Sequence, residues 1–136
     1  MNGNKLSATI TTPQNKWNLD DIKSVTAPGV LGSFQVLIHH APLMTQLEIG
    51  EVKLEMEQDL ELYATTGGFL EVLKNNVSLL LESCEKASKI DVSRAESAAD
   101  RARERLQKRS EDFDVMRAEG ALARALNRIQ IANKVK

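Results

Sequence analysis

Through the first two thirds of the chain, apolar residues recur at every second position. Leu6, Ala8 and Ile10 alternate with polar neighbours, and so do Val52, Leu54 and Met56. Leu60, Leu62 and Ala64 repeat the pattern until Gly67-Gly68 interrupts it, and Val77 to Leu81 is a short apolar run behind the turn signal Asn75-Asn76. A period of two sends successive side chains to opposite faces, so each segment predicts a strand with one face buried. Pro13, Pro28-Gly29, Gly32, Pro42, Gly50 and Gly67-Gly68 punctuate these segments at the spacing of an all-β sandwich or barrel. The alternation of strands with helical segments that a parallel nucleotide-binding sheet requires is missing.

At Ile90-Asp91 the period changes. From there to the end there is no proline, and Gly120 is the only glycine. Asp91 is an N-cap candidate, and Ala95, Ala98, Ala99, Ala102 and Leu106 behind it predict a helix of about 18 residues. The polar stretch Lys108-Arg109-Ser110-Glu111-Asp112 reads as a turn, followed by a second stripe of Val115, Ala118, Leu122, Ala125, Leu126 and Ile129. Alanine-rich stripes let two helices approach closely as an antiparallel hairpin. They also bury little apolar area, so the hairpin is marginal alone and able to detach or unfurl. The predicted fold is α+β in two domains: an antiparallel β-sandwich over 1–88 and an antiparallel α-helical hairpin over 89–136.

Composition adds boundaries to this picture. The 136 residues, 42% of them apolar, suit one ordinary domain or a small domain with an appendage. No window approaches the run of about 18 apolar residues that crosses a bilayer, and MNGNKLSATITT lacks the apolar segment of a signal peptide. The single cysteine, Cys84, excludes an internal disulfide and any multi-cysteine zinc site, which fits a reducing compartment. The net charge of −1 conceals a division: residues 1–89 hold 7 Lys/Arg against 11 Asp/Glu, and residues 90–136 hold 11 against 8. An acidic front and a basic rear point to two parts with different partners. The rear excess is too small for nucleic acid, and Phe113 is its one aromatic, so no stacking platform exists there.

Searches for catalytic chemistry return nothing: neither a phosphate-binding glycine loop nor a zinc-protease or nucleophile-elbow motif is present. Both histidines, His39 and His40, are adjacent in GSFQVLIHHAPL. In an extended segment they point to opposite faces, so they favour a structural or contact role over a metal or acid/base site. The rear half offers more. Arg94 and Arg101 are two helical turns apart, Arg105 follows Arg101 at i+4, and Arg124 and Arg128 are an i, i+4 pair. If the helices fold back on each other, Arg94, Arg101, Arg124 and Arg128 converge into a cluster suited to a polyphosphate. The competing reading is a solvated face laced by Asp100 and Glu104 with Arg101 and Arg105, and pattern alone favours it.

The residues resemble a known family, the epsilon subunits of F-type, proton-translocating ATP synthases. GSFQVLIHHAPL resembles the family's G-x-[LF]-G-[IV]-L-P-x-H-A-P-L loop through Gly32, Phe34, Val36, Leu37, His40, Ala41, Pro42 and Leu43. Leu47 to Val52 resembles its L-x-P-G-x-V, Thr66 to Val72 its S-G-G-F-x-E-V, Asn76-Val77 its N-x-V step, and Ile90 to Ala95 its I-D-x-x-R-A. Gln35 stands where the family has glycine, Ile38 where it often has proline, and Ser33 at a position acidic in some relatives.

The resemblance implies a sandwich of about ten strands followed by a two-helix hairpin. It implies a non-catalytic subunit of the rotary central stalk, with the sandwich on the gamma subunit and the ring of c subunits. Ser33 and His40 then face the ring. The hairpin is expected either folded or extended along gamma, where its basic residues meet the beta (and alpha) subunits and inhibit ATP hydrolysis. Some bacterial relatives hold ATP on the folded hairpin. Carried over by residue, that site comprises Glu85, Asp91, Arg94, Ala95, Arg101, Arg124 and Arg128. Glu85 to Ala95 would meet the adenine and Arg101, Arg124 and Arg128 the phosphates. No resident cofactor or metal is expected, only ATP as a regulatory ligand. The location implied is peripheral, on the cytoplasmic face of a bacterial inner membrane. A free-standing ATP-binding sensor using the same arginines is the alternative.

Overall fold

The computed structural model describes residues 4–108 and 112–135. The chain divides into two compact units, 1–86 and 87–136.

Nine strands among the described residues build the first unit: β1 (Leu6–Thr11), β2 (Lys16–Gly29), β3 (Gly32–Val36), β4 (Leu43–Leu47), β5 (Gly50–Met56), β6 (Leu60–Thr65), β7 (Gly68–Leu73), β8 (Asn76–Leu81) and β9 (Cys84–Lys86). They run in the order β1-β8-β7-β4-β2-β5-β6-β9, with β3 also on β2 and β1 pairing with β2 as well. The path curls into two layers, a β-sandwich, because the 14-residue β2 belongs to both. Its first half pairs with β1, from Thr11↔Lys16 to Leu6↔Ile22, and its second half pairs with β3 and β5. The register slips between Ile22 and Ser24, beside Asp21 at φ 58°, a bulge that bends the strand where it changes partner.

The alternation read from the sequence is the burial seen. β1 buries Leu6, Ala8 and Ile10 and turns Ser7, Thr9 and Thr11 outward. Together with Ile22, Val25, Val52, Leu54, Leu70, Val72, Val77 and Leu79 they form one core inside this unit. Among the described residues the strand pairings are antiparallel except β1–β8, which is parallel from Ser7↔Asn76 to Thr11↔Leu80. Parallel neighbours need a long connection, and most of the sandwich lies between these two strands in sequence. Gly68 lies at φ 148° against β8, and a Cβ there would overlap the Leu80 carbonyl oxygen.

The second unit holds a 3₁₀ turn at Ala87–Lys89, α1 (Val92–Lys108) and α2 (Asp112–Asn133). The turn expected over Lys108–Asp112 falls mainly on 109–111, outside the described residues; Lys108 ends α1 and Asp112 starts α2. Asp91 caps α1: its Oδ1 accepts the Arg94 N–H at 3.1 Å and its carbonyl accepts the Ala95 N–H at 3.1 Å. The helices pack on each other, and Ala95, Ala99, Ala102, Ala118 and Ala125 are buried. Leu126 departs from its predicted place in the stripe and is 41% exposed. Eight residues past Ala118 it has turned about 80° from that line at 100° per residue, and Ile131 and Ala132 are buried further along.

Candidate functional site

Two places gather the residues singled out in the sequence, one in each unit. The first lies at the β2–β3 hairpin. Ser33 and His40 line one groove of about 390 Å³ with Phe34, Gln35 and Leu43. The histidines themselves occupy a turn rather than an extended segment. The His40 N–H donates to the Leu37 carbonyl at 3.2 Å, and His39, third residue of that turn, takes φ 66°. The Asn75 side chain holds this turn by accepting the His39 N–H at 2.7 Å. His40 Nδ1 lies 2.6 Å from the Ala41 carbonyl. A carbonyl only accepts, so in the neutral ring the proton sits on Nδ1 and Nε2 is left as an acceptor. Only His40 of the pair lines the groove, and among the described residues no three metal-ligating side chains cluster.

The second place is the hairpin. Arg94, Arg101, Arg105 and Arg124 are exposed, and Arg128 is half-buried. At 100° per residue Arg94, Arg101 and Arg105 lie about 100° to one side of the buried Ala95–Ala99–Ala102 line. Arg117, Arg124 and Arg128 lie about 100° to the same rotational side of the Ala118–Ala125 line on α2. For two antiparallel helices packed along those lines, equal rotations in that sense point to the same side of the hairpin. The arginines thus form one flank. Arg105 and Arg117 belong to it though the motif reading left them out; their i+4 and i−7 spacings from Arg101 and Arg124 were the available signal.

Asp100 and Glu104, foreseen as partners of Arg101 and Arg105, pair with other residues. Asp100 pairs with Arg103 at 3.3 Å and Glu104 with Lys108 at 3.5 Å. Both pairs join residues three or four apart, which share a helix face, whereas Asp100–Arg101 and Glu104–Arg105 are adjacent and do not. Among the described residues Arg101, Arg105 and Arg124 form no ion pair, whereas Arg117 and Arg128 are engaged. Asp91 uses one carboxylate oxygen as the helix cap, and Ala95 is fully buried, so its side chain offers nothing to a ligand. Glu85 stands on β9 opposite Ala64 and belongs to the first unit.

In the first unit, burial alone pushes the Cys84 thiol up to about 12. Burial also raises the Tyr63 hydroxyl, helped by its hydrogen bond to the Glu61 carboxylate. Both groups stay neutral near pH 7, which suits packing rather than chemistry.

The described residues thus form a sandwich with an outward groove, followed by a helical hairpin with an arginine flank. Comparison with known proteins names the class. Residues 5–87 match the family model of the ATP synthase delta/epsilon chain β-sandwich domain, and residues 88–133 match the model of its long α-helix domain. The chain belongs to the ATP synthase delta/epsilon chain family. Over 101 residues it is 46% identical to the ATP synthase epsilon chain of Pelotomaculum thermopropionicum, covering 74% of this chain and 75% of that one. Over 106 residues it is 44% identical to the epsilon chain of Carboxydothermus hydrogenoformans, covering 78% and 79%. In fold it is similar to a chain of the Euglena gracilis mitochondrial ATP synthase structure containing OSCP, F1 and the c-ring. That match has a TM-score of 0.79 at 22% identity, over 88% of this chain and 76% of that one.

Proposed function

We propose that the chain is a non-catalytic rotor subunit in the central stalk of a bacterial F-type ATP synthase, whose arginine-flanked hairpin restrains ATP hydrolysis and senses ATP. The carrying observation is the match to both family models in order along the chain, sandwich then helices. The surfaces supply the chemistry. On β4, β7 and β8, Met44, Phe69 and Leu80 are 69%, 52% and 55% exposed. The register sets Gln46 beside Phe69 and Phe69 beside Leu80, so these apolar side chains share one sheet face. A gamma subunit is the proposed partner there, and the groove of Ser33 and His40 is proposed for the polar loops of the c-ring. No helix among the described residues is long and apolar enough to cross a membrane, so attachment is proposed to be peripheral, through the complex.

On the hairpin, Arg101 and Arg124, without ion pairs among the described residues, are suited to phosphate oxygens, and Asp91, Arg94 and Arg128 are proposed as further ligand groups of the same unit. ATP bound to the folded hairpin stabilises that state, by about 2.7 kcal/mol at 100 times its dissociation constant. The beta (and alpha) subunits of the catalytic head are the proposed partners of the extended hairpin. Co-purification tests the stalk assignment: the chain should bring down gamma, and binding no better than an unrelated protein rejects it. Titration calorimetry tests the nucleotide site. Heat with ATP should appear for the full chain and fall in an Arg101→Ala/Arg128→Ala variant. ATP binding without gamma binding would favour the free-standing sensor instead.

A further inference from the structure

Gly120 is the only glycine in the hairpin and lies inside α2. Glycine in a helix interior is less stable than alanine, and here no unusual backbone angle requires it, since its φ is not among the positive ones. The space its missing side chain leaves is used by the residue one turn on. A Cβ at Gly120 would stand 3.2 Å from Arg124 Nη1 and 4.0 Å from Arg124 Cζ. Side chains on a helix lean toward its N-terminus, so an arginine at i+4 overlies this glycine. Among the described residues Arg124 has no ion pair to hold its head. The Arg124 guanidinium thus lies close over the bare backbone at Gly120.

We infer that Gly120 is a positioning residue: it seats the Arg124 guanidinium low against α2, on the arginine flank, in the orientation that receives a nucleotide's phosphates. This rests on the reading of the flank as an ATP site. A methyl at 120 would stand 3.2 Å from Nη1, so the flexible arginine end must give by a few tenths of an ångström and leave that position. The competing explanation, that Gly120 only weakens the helix, predicts the opposite sign. Alanine would then give a better-formed hairpin and ATP binding as tight as before or tighter.

The test uses the full chain as wild type, Gly120→Ala, Arg124→Ala and the double variant. The readouts are calorimetry with ATP and the Nε–Hε NMR signal of Arg124 without ligand. Gly120→Ala should raise thermal stability yet weaken ATP binding about tenfold, the effect of roughly one lost charge-assisted hydrogen bond. The double variant should bind no worse than Arg124→Ala alone. The Arg124 signal should be resolved in the wild type and move to the position of mobile arginines in Gly120→Ala. Unchanged or tighter ATP binding by Gly120→Ala, with weakened binding by Arg124→Ala, overturns the positioning role and leaves the ATP site standing. If the wild type gives no heat with ATP, the ATP reading fails on its own. The seat is then judged by NMR alone, and an Arg124 signal unmoved in Gly120→Ala overturns it too.

Discussion

Asn75 shows how much one side chain arranges in the sandwich. With Lys74 it makes a two-residue hairpin turn, both at positive φ (50° and 63°), which asparagine tolerates better than most residues. Its side chain accepts the His39 N–H at 2.7 Å while its carbonyl accepts the Ser7 N–H at 3.0 Å. Asn75→Ala loses the tolerance and leaves the His39 N–H unmatched, so it should cost about 1–3 kcal/mol. Asn75→Gly should recover only the backbone part, and thermal melts of the two variants separate the terms. Cys84 gives a pH prediction. Burial lifts its thiol from 9.0 to about 12, so the folded state favours the protonated form. The resulting stability is complete below pH 9 and is lost as pH rises toward 12, where the unfolded chain gains a thiolate that the folded one resists. Denaturant melts should show stability falling over that alkaline range, less steeply in Cys84→Ala. The raised Tyr63 hydroxyl acts in the same direction, so part of the slope should persist.

Between the two helices, the consequence of small side chains is a close but thin contact. Ala99 is 1% exposed and Ala102 likewise 1%. Ala99→Leu places three extra carbons where no space exists and should destabilise the hairpin by about 1–3 kcal/mol. Hydrogen exchange should then quicken in α1 and α2 while β1, β7 and β8 keep their protection, because the sandwich core is made from its own strands. Arg101→Ala is the contrasting change. Arg101 is exposed and without an ion pair among the described residues, so its loss should alter stability by no more than about 0.5 kcal/mol. A fall in ATP affinity without a fall in melting temperature would mark the residue as a ligand group rather than a structural one.

For the chain as a rotor subunit, separate cores in the two units make a clean dissection possible. A fragment ending at Lys89 keeps every residue of the sandwich core. It should therefore fold, and should still bind gamma through the Met44–Phe69–Leu80 face. Inhibition should go with the residues removed. Measured on the catalytic head, ATP hydrolysis should slow with the full chain and not with the fragment. Equal inhibition by both would remove the hairpin from the regulatory role.

What local chemistry alone dictates here is the kind of element and its inward face. The period of two at Leu6-Ala8-Ile10 and the alanine spacing after Asp91 each follow from backbone geometry over a few residues, and the structure repeats both. The order of family motifs along the chain was legible for the same reason, since a motif is a short-range pattern. The partners were not legible. That β1 runs parallel to β8, that β2 serves both layers, and that Asn75 reaches His39 depend on which distant segments close on one another. Single-residue rotations were equally hidden. Leu126 passed for seam and turned outward, and Asp100 and Glu104 chose Arg103 and Lys108. The same holds for the groove that joins Ser33 to His40 and for the seat of Arg124 on Gly120. Periodicity reports a residue's direction relative to its own backbone, whereas contacts arise only when separate backbones are brought together, and that requires the closed chain.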